Sequence, residues 1–262
     1  MKLFITFLFV NALLSAYVDS DMDGVPDKND KCINTPLTDL VNLSGCTIKQ
    51  LQTDEKYFNL VLGQSYVDTG LSTLYLSSLK INYYDKNWSI QLASSYYDSS
   101  LDIENSRGQN DTYLTLYYFF DPINNLYLTL SAGLVFPTYD IVNNNMDYTA
   151  SFYGRYKFYE WSFIVGLGYN KIGDIDALNT FDYQNKFSYN VGVGYTWDSG
   201  LYASFGYYRT NSTSNIMEDL QTISVYAYYP FNEHWFASLN YGDGFISNIK
   251  RKNVGINIGY YW

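Results

Sequence analysis

The 262-residue chain contains no run of eighteen apolar residues, so no helix within it can span a bilayer. Positive charge is scarce: 16 Lys and Arg stand against 26 Asp and Glu, for a formal net charge of -10. A chain with no basic footprint is a poor partner for nucleic acid. There is one histidine, His234, and without a second neither a His metal site nor a His-based nucleophile relay can be assembled. Acids such as Asp102, Glu104, Asp174 and Asp176 could form a pair, but they fall in segments whose composition suits solvated loops. No enzyme activity is expected. What the chain has in quantity is aromatic: 30 Tyr and 16 Phe bring the aromatic share to 19%, beside 18 Gly. Mean hydropathy is still only -0.20. Tyrosine at that density suits strands with apolar material on one side and water on the other.

The first residues read as an export signal. Lys2 gives a short positive region, Leu3 to Leu14 is apolar but too short to cross a bilayer, and Ser15-Ala16 supplies small residues for cleavage. Residues 1–16 are therefore expected to be removed, leaving the two cysteines, Cys32 and Cys46, in an oxidising compartment.

Residues 17–50 differ in character. Asp19, Asp21, Asp23, Asp27 and Asp30 fall at positions 1, 3, 5, 9 and 12 of a loop with Gly24 at position 6. This oxygen spacing wraps a chain around a hard cation, with the carbonyl of Val25 as a further donor. Position 12 is Asp, where an EF-hand has bidentate Glu, and Pro26 has no N–H to pair with a second loop. The stretch DSDMDGVPDKNDKC resembles a thrombospondin type 3 repeat, matching DxDxDGxxDxxDxC throughout. Its continuation to Gly45-Cys46 is similar to the linkers of outer-membrane proteins of the outer-membrane-protein-A type. The resemblance, covering about thirty residues, implies Ca²⁺ on Asp19, Asp21, Asp23, Val25, Asp27 and Asp30. A Cys32–Cys46 bridge would add roughly 3 kcal/mol in the chain-entropy picture. The other reading of this stretch is a solvated acidic linker.

From residue 56 one pattern repeats to the end. Leu126, Leu128, Leu130, Ala132, Leu134 and Phe136 alternate with Tyr127, Thr129, Ser131 and Gly133. Phe187, Tyr189, Val191, Val193, Tyr195 and Trp197 alternate with Ser188, Asn190, Gly192, Gly194 and Thr196. Twelve such strands are expected, near 56–66, 72–84, 87–97, 111–120, 125–136, 147–158, 161–171, 186–197, 200–210, 220–229, 234–242 and 252–262. The links between them are alternately short and long. Strands of about ten residues, even in number, with tight turns at one end, are the sequence pattern of a transmembrane β-barrel. All five tryptophans (Trp88, Trp161, Trp197, Trp235, Trp262) share the apolar parity and lie by a short turn or at the end of the chain. A soluble sandwich gives no reason for this clustering; one membrane interface does. Tyr260-Tyr261-Trp262 resembles the terminal signal read by the outer-membrane assembly machinery.

The expectation is an all-β protein: a closed antiparallel barrel over 56–262 in a Gram-negative outer membrane, with a small calcium-binding, disulfide-stapled segment in the periplasm. Lys80, Arg155 and Lys157 have inward parity near short turns, where they would bias ion passage or pair with carboxylates. Lys171, Arg209, Lys250 and Lys252 read as outward or loop-edge, within reach of lipopolysaccharide phosphates. Two functions fit: a porin-like channel for small polar solutes, or a structural or adhesive envelope protein whose calcium module contacts a partner.

Overall fold

The computed structural model describes residues 25, 27–32, 40–41, 44, 46–49, 56–70, 72–101, 105–139, 144–174, 183–213, 219–246 and 249–262. The chain divides into two compact units, Met1–Glu55 and Lys56–Trp262. The expected signal peptide and Asp19, Asp21 and Asp23 lie outside the described residues. In the first unit, strands β1 (Leu40–Val41) and β2 (Thr47–Lys49) pair antiparallel. Cys32 and Cys46 are disulfide-bonded, with Cα atoms 5.0 Å apart.

The second unit is a closed antiparallel barrel. Its strands are β3 (Lys56–Asp68), β4 (Ser72–Asp85), β5 (Trp88–Leu101), β6 (Asn105–Gln109), β7 (Thr112–Ile123), β8 (Leu126–Phe136), β9 (Asp147–Phe158) and β10 (Trp161–Lys171). They are followed by β11 (Lys186–Thr196), β12 (Tyr202–Thr210), β13 (Leu220–Pro230), β14 (Trp235–Ile246) and β15 (Ile249–Tyr261). Each pairs with the next, except that β6 and β7 both pair with β5, one above the other, and so occupy a single position in the wall. Twelve positions result. The first and last strands close the circle from Asn59↔Tyr261 to Asp68↔Lys252. Phe58 and Trp262 exchange N–H···O bonds of 3.0 and 3.1 Å at that seam. Closure leaves no edge, which a sheet in lipid requires because nothing there can satisfy free backbone groups.

The registers set the tilt. From Leu60 one hydrogen-bonding line climbs through Ile81, Leu92, Leu114, Leu134 and Tyr148 to Lys171 at the far rim. In the other direction it descends through Tyr260 to Trp235 beside a short turn. Carried once round the wall, the pairings return to β3 fourteen residues along. Twelve strands with that stagger tilt by roughly 40° and enclose a backbone cylinder roughly 23 Å across.

Alternation assigns the faces. Outward positions are large and apolar, such as Leu62, Leu92, Phe163, Phe205 and Ile256, all exposed on the bare protein. The five tryptophans stand outward at the rim with the short turns. There Trp88 packs on Tyr118 (4.5 Å), Trp161 and Trp197 on Tyr195 (5.0 and 4.8 Å), Trp235 on Tyr260 (4.8 Å) and Trp262 on Phe58 (5.7 Å). Toward the opposite rim a second outward aromatic belt, without tryptophan, includes Tyr75, Tyr96, Tyr148, Tyr169 and Phe187. Trp88 and Tyr96, or Trp161 and Tyr169, are separated by eight residues of tilted strand. That places the two belts about 20 Å apart, close to the height of an outer-membrane apolar band.

The short turns are tight. Lys86, Asn125 and Tyr159 take positive φ (53°, 68° and 52°), as two-residue hairpin turns require. Two expected loops are different. The pattern predicts a loop over 98–110, but β5 runs on to Leu101 and Asn105–Gln109 returns along Ser100–Tyr96 as a ladder. Likewise β14 and β15 run on until Ile246 faces Ile249. Past the apolar band lipid no longer enforces alternation, so these extensions carry no periodic signal.

Candidate functional site: the barrel lumen

The inward face mixes polar side chains with Val67, Leu76 and Leu220 in its outer half and is aromatic in its turn-side half. Four inward asparagines each lie across an inward glycine directly opposite: Asn190 over Gly166, Asn240 over Gly255, Asn253 over Gly242 and Asn257 over Gly63. In each pair the side-chain oxygen occupies the space a Cβ on the glycine would take. The asparagines therefore fold along the wall, and the lumen keeps its width. Here glycine is required by close approach, not by backbone angle.

Two cavities open in the outer half. One, of about 550 Å³, is lined by Ser65, Asn190, Tyr208, Thr222, Ser224, Arg251 and Asn253 together with the apolar Val67, Leu76 and Leu220. The other, of about 300 Å³, lies among Thr115, Ser131, Thr149, Asn170, Lys186, Ser188 and Tyr208. Both are walled by strands from well-separated parts of the sequence. At the mouth, Asp111 and Asp147 secure the loops. Asp111 Oδ1 accepts from Tyr139 N and Asn144 Nδ2, both at 2.9 Å, and Asp147 Oδ1 accepts from Gly173 N at 2.7 Å.

The turn-side half holds a collar of inward rings. Tyr57 stacks on Tyr84 at 4.3 Å, Tyr84 neighbours Phe119, and Tyr57 meets Tyr261 edge-on at 5.8 Å. Phe236 packs on Tyr261 (4.9 Å) and Tyr228 (5.3 Å), and Tyr226 lies by Tyr202. Phe236 lies flat over Gly259, and Tyr202 reaches over Gly194. Beneath the rings a polar row crosses four strands. Asn82 donates to Asn59, Gln91 Nε2 donates to Asn82 Oδ1 at 2.7 Å, and the Tyr117 hydroxyl donates to Gln91 at 3.3 Å. Asn59 and Asn82 are buried, so this saturation offsets their desolvation. Parity marks these positions as inward but says nothing of ring orientation, so the collar was not legible in the sequence.

Lys80, Arg155 and Lys157 do face inward on the turn side, and Lys186 and Arg251 add two cations above them. The ion pairs formed among the described residues are Lys56–Asp85 (3.6 Å) and Arg209–Asp219 (2.8 Å), so none of these five is neutralised there. On the outward face, Arg209 is held by Asp219. Lys171 and Lys252 are exposed, whereas the side chain of Lys250 lies outside the described residues. His234 lies in the β13–β14 turn, with Nδ1 3.1 Å from the Tyr261 carbonyl oxygen, a contact that ties the turn to the last strand. Asp174 accepts from Asn145 N at 2.8 Å; Asp102, Glu104 and Asp176 lie outside the described residues.

Of the expected calcium ligands, Val25, Asp27 and Asp30 are described. Asp30 Oδ1 accepts from Cys32 N at 2.7 Å, whereas Oδ2 is buried without a hydrogen-bond partner. Among the described residues no three His, Cys, Asp or Glu side chains form a metal cluster.

No family model matches the chain, and no curated protein matches its sequence. Solved structures do match its fold. An outer membrane channel from Pseudomonas putida aligns over 79% of this chain and 94% of its own, with TM-score 0.64 and 14% identity. The NanC porin aligns over 77% and 98%, with TM-score 0.59 and 12% identity. The translocator domain of the autotransporter NalP from Neisseria meningitidis aligns over 80% and 90%, with TM-score 0.55 and 14% identity. At these identities what is shared is the fold, that of outer-membrane β-barrels.

Proposed function

We propose that the chain is an outer-membrane channel, inserted with its short turns in the periplasm, that passes small polar solutes. The observation that carries this reading is the lumen wall. Asn–Gly pairing folds side chains flat, and two cavities of about 550 and 300 Å³ lie within the outer half. A barrel serving only as an anchor has no need of such space. That two of the matched structures are named as a channel and a porin supports the reading. The outward apolar band would meet lipid, and the exposed Lys171 and Lys252 would meet lipopolysaccharide phosphates. No catalytic role is proposed, since the lone His234 is engaged at the turn side. Liposomes containing the folded protein should swell in iso-osmotic monosaccharide within seconds. Folded barrels that leave swelling at the lipid background would favour the anchor reading.

The first unit is proposed to bind one Ca²⁺ through Asp19, Asp21, Asp23, Asp27, Asp30 and the Val25 carbonyl. The donor set is hard oxygen, as Ca²⁺ prefers, and Asp30 Oδ2 is a buried acceptor without a partner. When bound, the ion would screen the clustered carboxylates and order the loop. Calorimetry on the full chain should show uptake at about millimolar Ca²⁺, lost in the Asp21→Ala/Asp23→Ala variant. Equal heats for both proteins would refute the site.

A further inference from the structure

The barrel's inward charge is opposite in sign to that of the chain. Lys80, Arg155, Lys157, Lys186 and Arg251 face the lumen from β4, β9, β11 and β15. Facing them are Asp111 and Asp147, both occupied in holding loops at the mouth, and Asp121 in the bulge by the β7–β8 turn. None of the five cations forms an ion pair with a described residue. Cations with no ion-pair partner among the described residues, set in a low-dielectric wall, focus a positive potential along the passage.

Arg155 is the best placed of them. Its guanidinium carbon sits 5.1 Å from the centre of the Tyr127 ring, directly opposite it on β8, a cation–π contact that holds the group against the wall. Its N–H fork makes no hydrogen bond to a described residue, and that fork fits a carboxylate in bidentate fashion. On the same strand, two residues away, Tyr153 also faces inward, as do Tyr202 on β12 and Tyr226 on β13, whose ring centres are 6.4 Å apart. Aromatic rings with hydroxyls thus lie on the turn-side wall beside a guanidinium able to receive a carboxylate, below the two cavities.

We propose that the passage is anion-selective and that its preferred solutes are carboxylated sugars. The carboxylate would engage Arg155, with Lys80 and Lys157 in support. The apolar face of the sugar ring would lie on Tyr127 or Tyr153, and its hydroxyls would exchange water for the polar wall. This assignment rests on the channel reading.

The test uses the full chain refolded into planar bilayers under a KCl gradient. The reversal potential should report a Cl⁻ to K⁺ permeability ratio of about three or more. Lys80→Gln/Arg155→Gln/Lys157→Gln should lower that ratio at least about twofold. If the triple variant fails to fold, Lys186→Gln/Arg251→Gln should lower it in the same direction. Sodium glucuronate should interrupt the current at concentrations where glucose and benzoate do not, and Arg155→Gln should remove the interruptions. Cation selectivity would overturn the proposal while leaving a channel. Blockade by benzoate equal to that by glucuronate would overturn the sugar assignment. Absence of current from folded protein would overturn both this and the channel reading.

Discussion

Adding one methyl group at Gly259 tests whether the collar rings lie along the wall. A Cβ there would overlap the Phe236 ring, whose position is set by the direct cross-strand pairing of the two residues. Phe236 is only 7% exposed and packs on Tyr261 and Tyr228. In Gly259→Ala the ring must leave the wall and swing into the lumen. Each of its two ring contacts contributes about 0.5–1.5 kcal/mol, and re-exposing part of the ring to water adds about 1 kcal/mol. The expected loss is about 2–4 kcal/mol, read as a lower urea midpoint by tryptophan fluorescence in detergent micelles. Gly154→Ala is the control. Its Cβ would face lipid, 3.2 Å from the Leu128 side chain and 3.3 Å from Val165, whose flexible ends can yield. A change below about 1 kcal/mol is expected there. Equal effects of the two substitutions would refute the flat-ring arrangement.

Three further outcomes follow. Trp262→Ala keeps the Phe58–Trp262 backbone bonds but removes the stacking on Phe58 and Tyr260. It should cost about 1–2 kcal/mol, visible as a lower temperature for loss of the compact gel band. Tyr159→Gly relieves a positive φ of 52° in a two-residue turn and should raise stability by up to about 1 kcal/mol; a fall would mean that the exposed ring anchors the interface more strongly than the turn is strained. Cys32→Ser/Cys46→Ser opens a loop of sequence separation 14. It should make the first unit easier for protease to cleave while leaving the barrel's unfolding midpoint unchanged.

Much of the barrel was legible in the sequence because a single wall between lipid and water enforces a period of two. Tyr189, Val191 and Val193 had to alternate with Ser188, Asn190 and Gly192 whatever the tertiary detail. Tyr159-Glu160 was legible as a turn to the residue and Lys86-Asn87 to within one, since each interrupts the alternation, whereas β7 runs three residues past its expected end at 120, to Ile123. The tryptophan belt was legible because it combines parity with position along the strand. Other features depend on register. That Asn190 covers Gly166, or that Phe236 covers Gly259, emerges only once β10 is aligned with β11 and β14 with β15. The inward parity of Lys80, Arg155 and Lys157 was read correctly. Whether carboxylates neutralise them is a matter of distance, which alternation does not encode. The ladder at Asn105–Gln109 was missed because Ser99, Ser100 and Ser106 carry no apolar contrast.

The central claim, an open polar passage through a twelve-stranded wall, is tested most directly by single-channel recording of the folded full chain. The arrangement of the lumen predicts discrete, reproducible current steps that persist without added calcium and vanish when the sample is heat-denatured. Folded, heat-modifiable protein that inserts into the bilayer yet leaves the current at its baseline would contradict it.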